Sequence, residues 1–239
     1  MEYKYTGIIL NKRDVGETDR IYIIYTREGG KIKSIAKGVR KAQAKLAASL
    51  ENFTLADITI ARSRGMGKIT GSIIENSFTS LRTDVDALLD VFQAISFFEK
   101  FIDLESADAY IYELLKSYLE AMDSCSKAGL KDKYQMLRLG FFMKLLDLLG
   151  YKIEVGCCVV CGGSVSQQMP VFSPQQGGIV CNNCASGING LIGIKTDAIK
   201  MMRLFLNNDM QSLVKIKAHS EICDSAQIAI NDFMRWNIG

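Results

Sequence analysis

Four cysteines constrain this chain more than any other feature. The 27 residues from Cys158 to Cys184 read CVVCGGSVSQQMPVFSPQQGGIVCNNC. They hold two Cys-x-x-Cys pairs, Cys158/Cys161 and Cys181/Cys184, with 19 residues between the pairs. Two residues between thiols let one tight turn aim both sulfurs at a single point. Two such turns supply four thiolates, the tetrahedral set of a structural zinc site. Gly162 and Gly163 follow the first pair, and glycine accepts the positive φ that such a knuckle needs. The spacing falls in the zinc-ribbon window. Phe172 and Gly177-Gly178 predict a short hairpin between the knuckles. A four-thiolate site has no open coordination position, so the predicted metal is structural and not catalytic. Cys157 lies beside Cys158 and competes for its place, although the two-residue spacing favours Cys158.

Two other uses of the cysteines fit less well. Disulfides need an oxidising compartment. A redox Cys-x-x-Cys occurs once, at a strand-to-helix junction, and not twice around a hairpin. The total of seven cysteines is odd, which suits reduced thiols in a cytoplasmic setting. Cys125 and Cys223 sit in helical patterns and read as packing residues. The opening MEYKYTG has no apolar h-region, and no run of 18 apolar residues occurs. Neither secretion nor membrane spanning is expected.

At 239 residues the chain can bury a sizeable core and divide into more than one unit. Its net charge of +3 hides an asymmetry. Residues 1–80 carry 14 Lys+Arg against 8 Asp+Glu, and the remainder 15 against 18. A basic N-terminal unit points to a polyanion partner. Five short β-rich runs are predicted there: Tyr3–Leu10, Arg20–Thr26, Lys31–Lys37, Phe53–Ala61 and Lys68–Glu75. Five strands in so short a unit fit an OB-fold barrel, whose face and loops bind oligonucleotides. Between residues 31 and 45 the chain reads KIKSIAKGVRKAQAK, with six basic residues and no acidic one. Lys31, Lys33, Lys37, Arg40, Lys41 and Lys45 are therefore candidates to track phosphates, although lysines also shield edge strands. Arg62, Arg64 and Lys68 form a second cluster in the loop between strands four and five. Alternation puts Tyr22 and Tyr25 on opposite faces of their strand, so at most one of them can stack on a base. Gly65-Met66-Gly67-Lys68 faintly resembles the end of a phosphate-binding loop, but Arg62 and Ile69 stand where that motif needs Gly and Ser or Thr.

After Leu81 the apolar period changes to 3–4 residues. Thr83 is placed to cap a helix with Leu88, Leu89, Phe92, Ile95, Glu99 and Ile102 along one stripe. Two further stripes run over 110–122 and 134–149, with Gly150 closing the last. Asp197–Leu206 and Glu221–Trp236 read as two more helices. The expected fold class is α+β and multi-domain: an OB-fold over 1–80, then a helical bundle over 81–239 carrying a zinc insert at about 156–188. Lys133, Arg138 and Lys144, beside Phe141 and Phe142, are candidates for a partner surface. His219, the one histidine, precedes the last helix and reads as incidental.

The segments YKYTGIILNKRDVGETDRI, IKSIAKGVRKAQAKLAASLENFTLADI and CVVCGG…VFSPQQGGIVCNNC carry a further reading. With the order barrel, helical body and inserted cysteine site, the chain resembles the RecO family of bacterial recombination and repair mediators over essentially its full length. The Gly-Glu-x-Asp turn at 16–19 and Lys37-Gly38 are the more specific short matches. Gly38-Val39-Arg40-Lys41 stands where the family commonly has Gly-Ala-Arg-Arg. The resemblance implies binding of single- and double-stranded DNA, annealing of complementary strands, and work with RecR. It also implies help in loading RecA onto strands coated by single-stranded DNA-binding protein, and contact with that protein's acidic, apolar C-terminal tail. It places the protein in the cytoplasm on the nucleoid. Some members lack the cysteines, which implies that zinc serves the fold. A zinc-ribbon RNA-binding or transcription-associated factor would combine the same parts. An enzyme is not expected, because there is no nucleotide loop, no histidine-based triad and no cluster of carboxylates for two-metal chemistry.

Overall fold

A computed structural model describes residues 1–62, 65–165, 170–217 and 219–237. They form two compact units, Met1–Asp123 and Ser124–Gly239. The first is built on a closed barrel of β1 (Glu2–Val15), β2 (Asp19–Thr26), β3 (Gly30–Ala36), β4 (Leu55–Ala61) and β5 (Gly67–Asn76), in the order β1-β2-β3-β5-β4. This is the OB-fold order. β1 serves both sides of the barrel: Glu2 to Ile8 pair with β4, and Gly7 to Val15 pair with β2. A register shift between Ile9 and Asn11 bends it from one partner to the other. A short parallel pairing, Ser34 with Gly67 and Ile35 with Lys68, closes the cylinder.

Inward residues alternate as a half-buried strand requires. Ile9, Tyr22, Ile24, Ile32, Ile58, Ile60 and Ile69 fill the barrel. Val39 and Leu50, from the segment after β3, join the same core. The five expected strands are all present. β1 runs five residues past its expected end because Asn11–Val15, though polar, continue the ladder with β2.

Three helices complete this unit: α1 (Thr79–Thr83), α2 (Val85–Phe101) and most of α3 (Ala109–Lys127). The cap of α2 is Asp84, whose carboxylate accepts from the amides of Asp86 and Ala87 at 3.0 and 3.2 Å. Thr83, the expected cap, instead closes α1, its hydroxyl donating to the carbonyls of Thr79 and Ser80. The buried face of α2 is Ala87, Val91, Ala94, Ile95, Phe97 and Phe98. It is rotated from the stripe that spacing predicts, and Leu89 and Phe92 are exposed. The physical cause is an aromatic anchor: Phe98 packs edge-on against Tyr25, ring centroids 4.9 Å apart, and fixes which face lies on the barrel.

In the second unit α4 (Tyr134–Leu148) is apolar all round and buried, as a central helix must be. It ends at Gly150, with φ at +85°. β6 (Val171–Ser173), β7 (Gly178–Val180) and β8 (Ile192–Gly193) form a small sheet, order β7-β6-β8, and α5 (Asn182–Ala185) follows β7. α6 (Thr196–Asn207), α7 (Met210–Leu213) and α8 (Ser220–Asn237) pack on α4. A Cβ at Gly140 would lie 2.7 Å from Leu213 Cδ1, so α4 and α7 need that glycine to meet. α6 and α8 match expectation; α7 is too short for periodicity to reveal. Among the described residues no helix is long and apolar enough to cross a membrane.

Candidate nucleic-acid interface and metal centre

The two cysteine knuckles converge. The sulfurs of Cys158, Cys161, Cys181 and Cys184 all lie within 4.8 Å of one another, and those of Cys161 and Cys181 are 3.8 Å apart. Metal–sulfur bonds of about 2.3 Å give a tetrahedron with edges of about 3.8 Å, so the donor set fits zinc. Local backbone bonds build the first knuckle: Gly162 donates to Cys158 O at 2.8 Å with φ at +71°, and Cys158 donates to Gly163 O at 2.8 Å. The amide of Cys181 donates to Cys158 Sγ at 3.3 Å. Burial pushes the Cys158 thiol up, but amides of Cys181, Cys161 and Val160 outweigh it and hold it down to about 6. Hydrogen bonds with the neighbouring Cys181 and Cys161 sulfurs push Cys184 up to about 12. Cys157 is not in the group; its amide donates to Glu154 Oε1 at 3.3 Å, turning the residue away from the cluster.

The knuckles and their hairpin are stitched to strand β7 and to helices of the same unit. Val159 donates to Ile179 O, Arg203 Nε on α6 donates to Val155 O at 2.5 Å, and Asn237 on α8 donates to Pro174 O at 2.9 Å. A Cβ at Gly177 would come within 2.9 Å of the Phe233 ring.

On the barrel, cross-strand register assembles an outward face from four strands. One rung reads Arg13, Ile21, Ile35, Lys68, and the next Asn11, Ile23, Lys33. A groove of about 380 Å³ lies over it, lined by Arg13, Ile21, Ile23, Lys33 and Met66. Beyond β3 the chain continues through Lys37, Arg40, Lys41 and Lys45, all exposed. Buried Val39 and Leu50 pin that segment to the core and leave its cations outside. Among the described residues Lys33, Lys37, Lys41, Lys45 and Lys68 make no ion pair, and neither does Arg13, which strand assignment alone leaves unnoticed. It becomes visible only once β1 is known to extend past Leu10.

Several candidates are placed otherwise. Lys31 Nζ donates to Glu99 O at 2.9 Å and serves the helix packing. Arg62 pairs with Glu105 at 2.9 Å, and Arg40 with Asp14 at 3.4 Å. Arg64 lies outside the described residues. Tyr22 and Tyr25 are both fully buried, the first in the barrel and the second under α2 and α3, so neither stacks on a base. In the second unit Lys133 is buried, its Nζ donating to Ile216 O at 2.5 Å. Arg138 is buried over the Phe142 ring, 5.7 Å from its centroid. Phe141 and Phe142 are core residues, and burial lowers the pKa of Lys144.

The turn between β1 and β2 positions the basic segment. Asp19 accepts from the amide of Gly38 at 2.7 Å and from Thr18 Oγ1 at 3.0 Å. Gly38 has φ of +66°, and the Arg40 amide donates to Thr18 O at 3.0 Å. The Gly38 amide, then the Thr18 hydroxyl, hold the Asp19 carboxyl below its ordinary value. A depressed pKa means the tether contributes above the unfolded value of about 3.9 and is lost as pH falls through the lower folded value. Asp19→Ala is thus expected to loosen residues 37–41 at neutral pH without removing a cation. Amide exchange at Gly38 should rise in the variant and, in the wild type, only in acid. Equal protection in both proteins at neutral pH would refute the tether.

Comparison with known proteins divides the chain just after the barrel, and not at residue 123 where the compact units part. Residues 1–78 match the family model described as Recombination protein O N terminal, and residues 82–239 match Recombination protein O C terminal. DNA repair protein RecO of Dehalococcoides mccartyi strain 195 is 33% identical over 235 residues, covering 98% of this chain and 90% of that protein. The protein of the same name from Listeria welshimeri is 28% identical over 237 residues, covering 99% and 89%. That from Desulfitobacterium hafniense Y51 is 27% identical over 236 residues, covering 94% and 82%. Matched by both halves of the family's description and by relatives along nearly its full length, the chain belongs to the RecO family.

Proposed function

We propose that this protein is a non-enzymatic DNA-binding mediator of repair and recombination. In this reading it binds single and double strands through the outward face of its barrel and anneals complementary strands. The observation that carries it is the row of exposed cations without ion-pair partners, from Lys33 and Lys68 through Lys37 and Lys41 to Lys45, beside the Ile21–Ile23–Ile35 surface. Unpaired lysines on an open face fit a phosphate chain, and cations that cancel the charge of two strands let them approach. The family relationship supports RecR as a partner, delivery of RecA to strands coated by single-stranded DNA-binding protein, and contact with that protein's C-terminal tail. It also supports a cytoplasmic, nucleoid-associated setting. The four thiolates hold one structural zinc per chain.

A fluorescence assay on complementary oligonucleotides, with and without coating protein, tests this. Annealing should speed up without any nucleotide or magnesium and without loss of strand length. Binding with no acceleration of annealing would refute the mediator reading, and would favour an RNA or transcription role for the same parts.

A further inference from the structure

We propose that a slot behind Lys33 receives one unstacked nucleobase, so that the barrel grips a single strand by a base as well as by its phosphates. This rests on the outward face being the DNA path. The slot follows from the way the barrel closes. β3 pairs with β5 only at Ser34 and Ile35, and its other end bridges Leu104 through Lys31. The strands part between these points and open a cavity of about 300 Å³, lined by Tyr5, Ile32, Ser34, Ile60, Met66 and Leu104. All of these belong to the first compact unit.

The lining chooses the ligand. Ile32 and Ile60 are buried and give an apolar floor, and the Tyr5 ring forms a wall. Ser34 is 2% exposed and lines the slot, and its hydroxyl makes no hydrogen bond among the described residues, so it is free to bond a group that enters there. Lys33 stands at the mouth, with Arg62 held there by Glu105. A bare anion would meet the cations but waste the floor, and an aliphatic chain would leave Ser34 unpaired. A nucleobase offers apolar faces to the floor and wall, an edge atom to Ser34, and its own phosphate to Lys33. The volume is at the small end of ligand pockets, suited to a single ring system. Lys33 and Met66 also line the groove on the outward face, so a base leaving a strand there enters without its phosphate leaving Lys33. A base held in a duplex cannot enter. With Tyr22 and Tyr25 both buried, this slot is where the barrel can tell a strand with bases from one without.

The test compares the full-length zinc-loaded protein on a single-stranded oligonucleotide, the same oligonucleotide carrying abasic positions, and a duplex. Wild type should lose about tenfold in affinity when bases are removed, of the order of one lost base contact. Ser34→Leu, which fills the slot, should bind the base-bearing strand as weakly as wild type binds the abasic one. It should keep wild-type duplex affinity. Met66→Ala, on an exposed loop where folding is not at stake, should shrink the base preference without changing the salt slope. Equal wild-type affinity for base-bearing and abasic strands would overturn the slot, as would an undiminished base preference in both variants. If instead duplex and abasic binding ignore the cations of the face, the DNA path fails and not the slot alone.

Discussion

Cys181→Ser is expected to melt the second compact unit while leaving DNA binding in the surviving folded fraction nearly intact. Structural zinc contributes about 10–16 kcal/mol to folding in zinc-finger peptides at neutral pH, comparable with the whole stability of a domain, about 5–15 kcal/mol. The sheet of β6, β7 and β8 has eight residues in strands and cannot make a core alone. It is also joined to α6 by Arg203 and to α8 by Asn237 and Phe233, so a knuckle that opens releases helix contacts as well. The cations of the barrel belong to the other compact unit. Calorimetry and metal analysis check this together. Wild type should carry about one zinc per chain, and the variant should lose it along with a large part of its melting temperature. An unchanged melting temperature in metal-free variant protein would remove zinc from the folding account, and metal-free wild type purified under reducing conditions would remove it altogether.

What the sequence made legible was local. Four cysteines at ribbon spacing need only two turns to converge, so their grouping could be read directly. Five strands could be read because period-2 alternation and glycine turns are properties of adjacent residues. The rotation of α2 could not be, since it depends on Phe98 meeting Tyr25 more than 70 residues away along the chain, roughly the length of the barrel. For the same reason alternation put Tyr22 and Tyr25 on opposite faces but could not show that one fills the barrel while helices cover the other. Spacing along 131–144 could not show that Arg138, on the central helix α4, and Lys133, in the turn before it, are buried against partners of their own. Basic composition pointed to the candidate face, but only the fold separates cations with a carboxylate or carbonyl partner from those without.

That separation decides the second large effect. Replacing Lys33, Lys37 and Lys41 together by Ala is expected to lower DNA affinity about a hundredfold near 0.1 M salt. Each phosphate neutralised on a single strand contributes about −0.7 to the log–log salt slope, which near 0.1 M corresponds to about fivefold in affinity. With Lys68 as a fourth contact the wild-type slope should be about −3, and affinity should fall about fiftyfold from 50 to 200 mM salt. The triple variant should retain a slope of about −0.7, with the loss alike for all sequences because phosphates carry no base information. Annealing should fall with it. None of the three lysines makes an ion pair among the described residues, so the variant should keep its melting temperature and zinc content. Lys31→Ala is the contrast from the same basic run. Its ammonium is committed to Glu99 O at 2.9 Å, so its loss should lower the melting temperature and leave the salt slope near the wild-type value. Were Lys31→Ala to flatten the slope while the triple variant kept it, phosphate would follow the helix side of the barrel and not the face built by β1, β2 and β3.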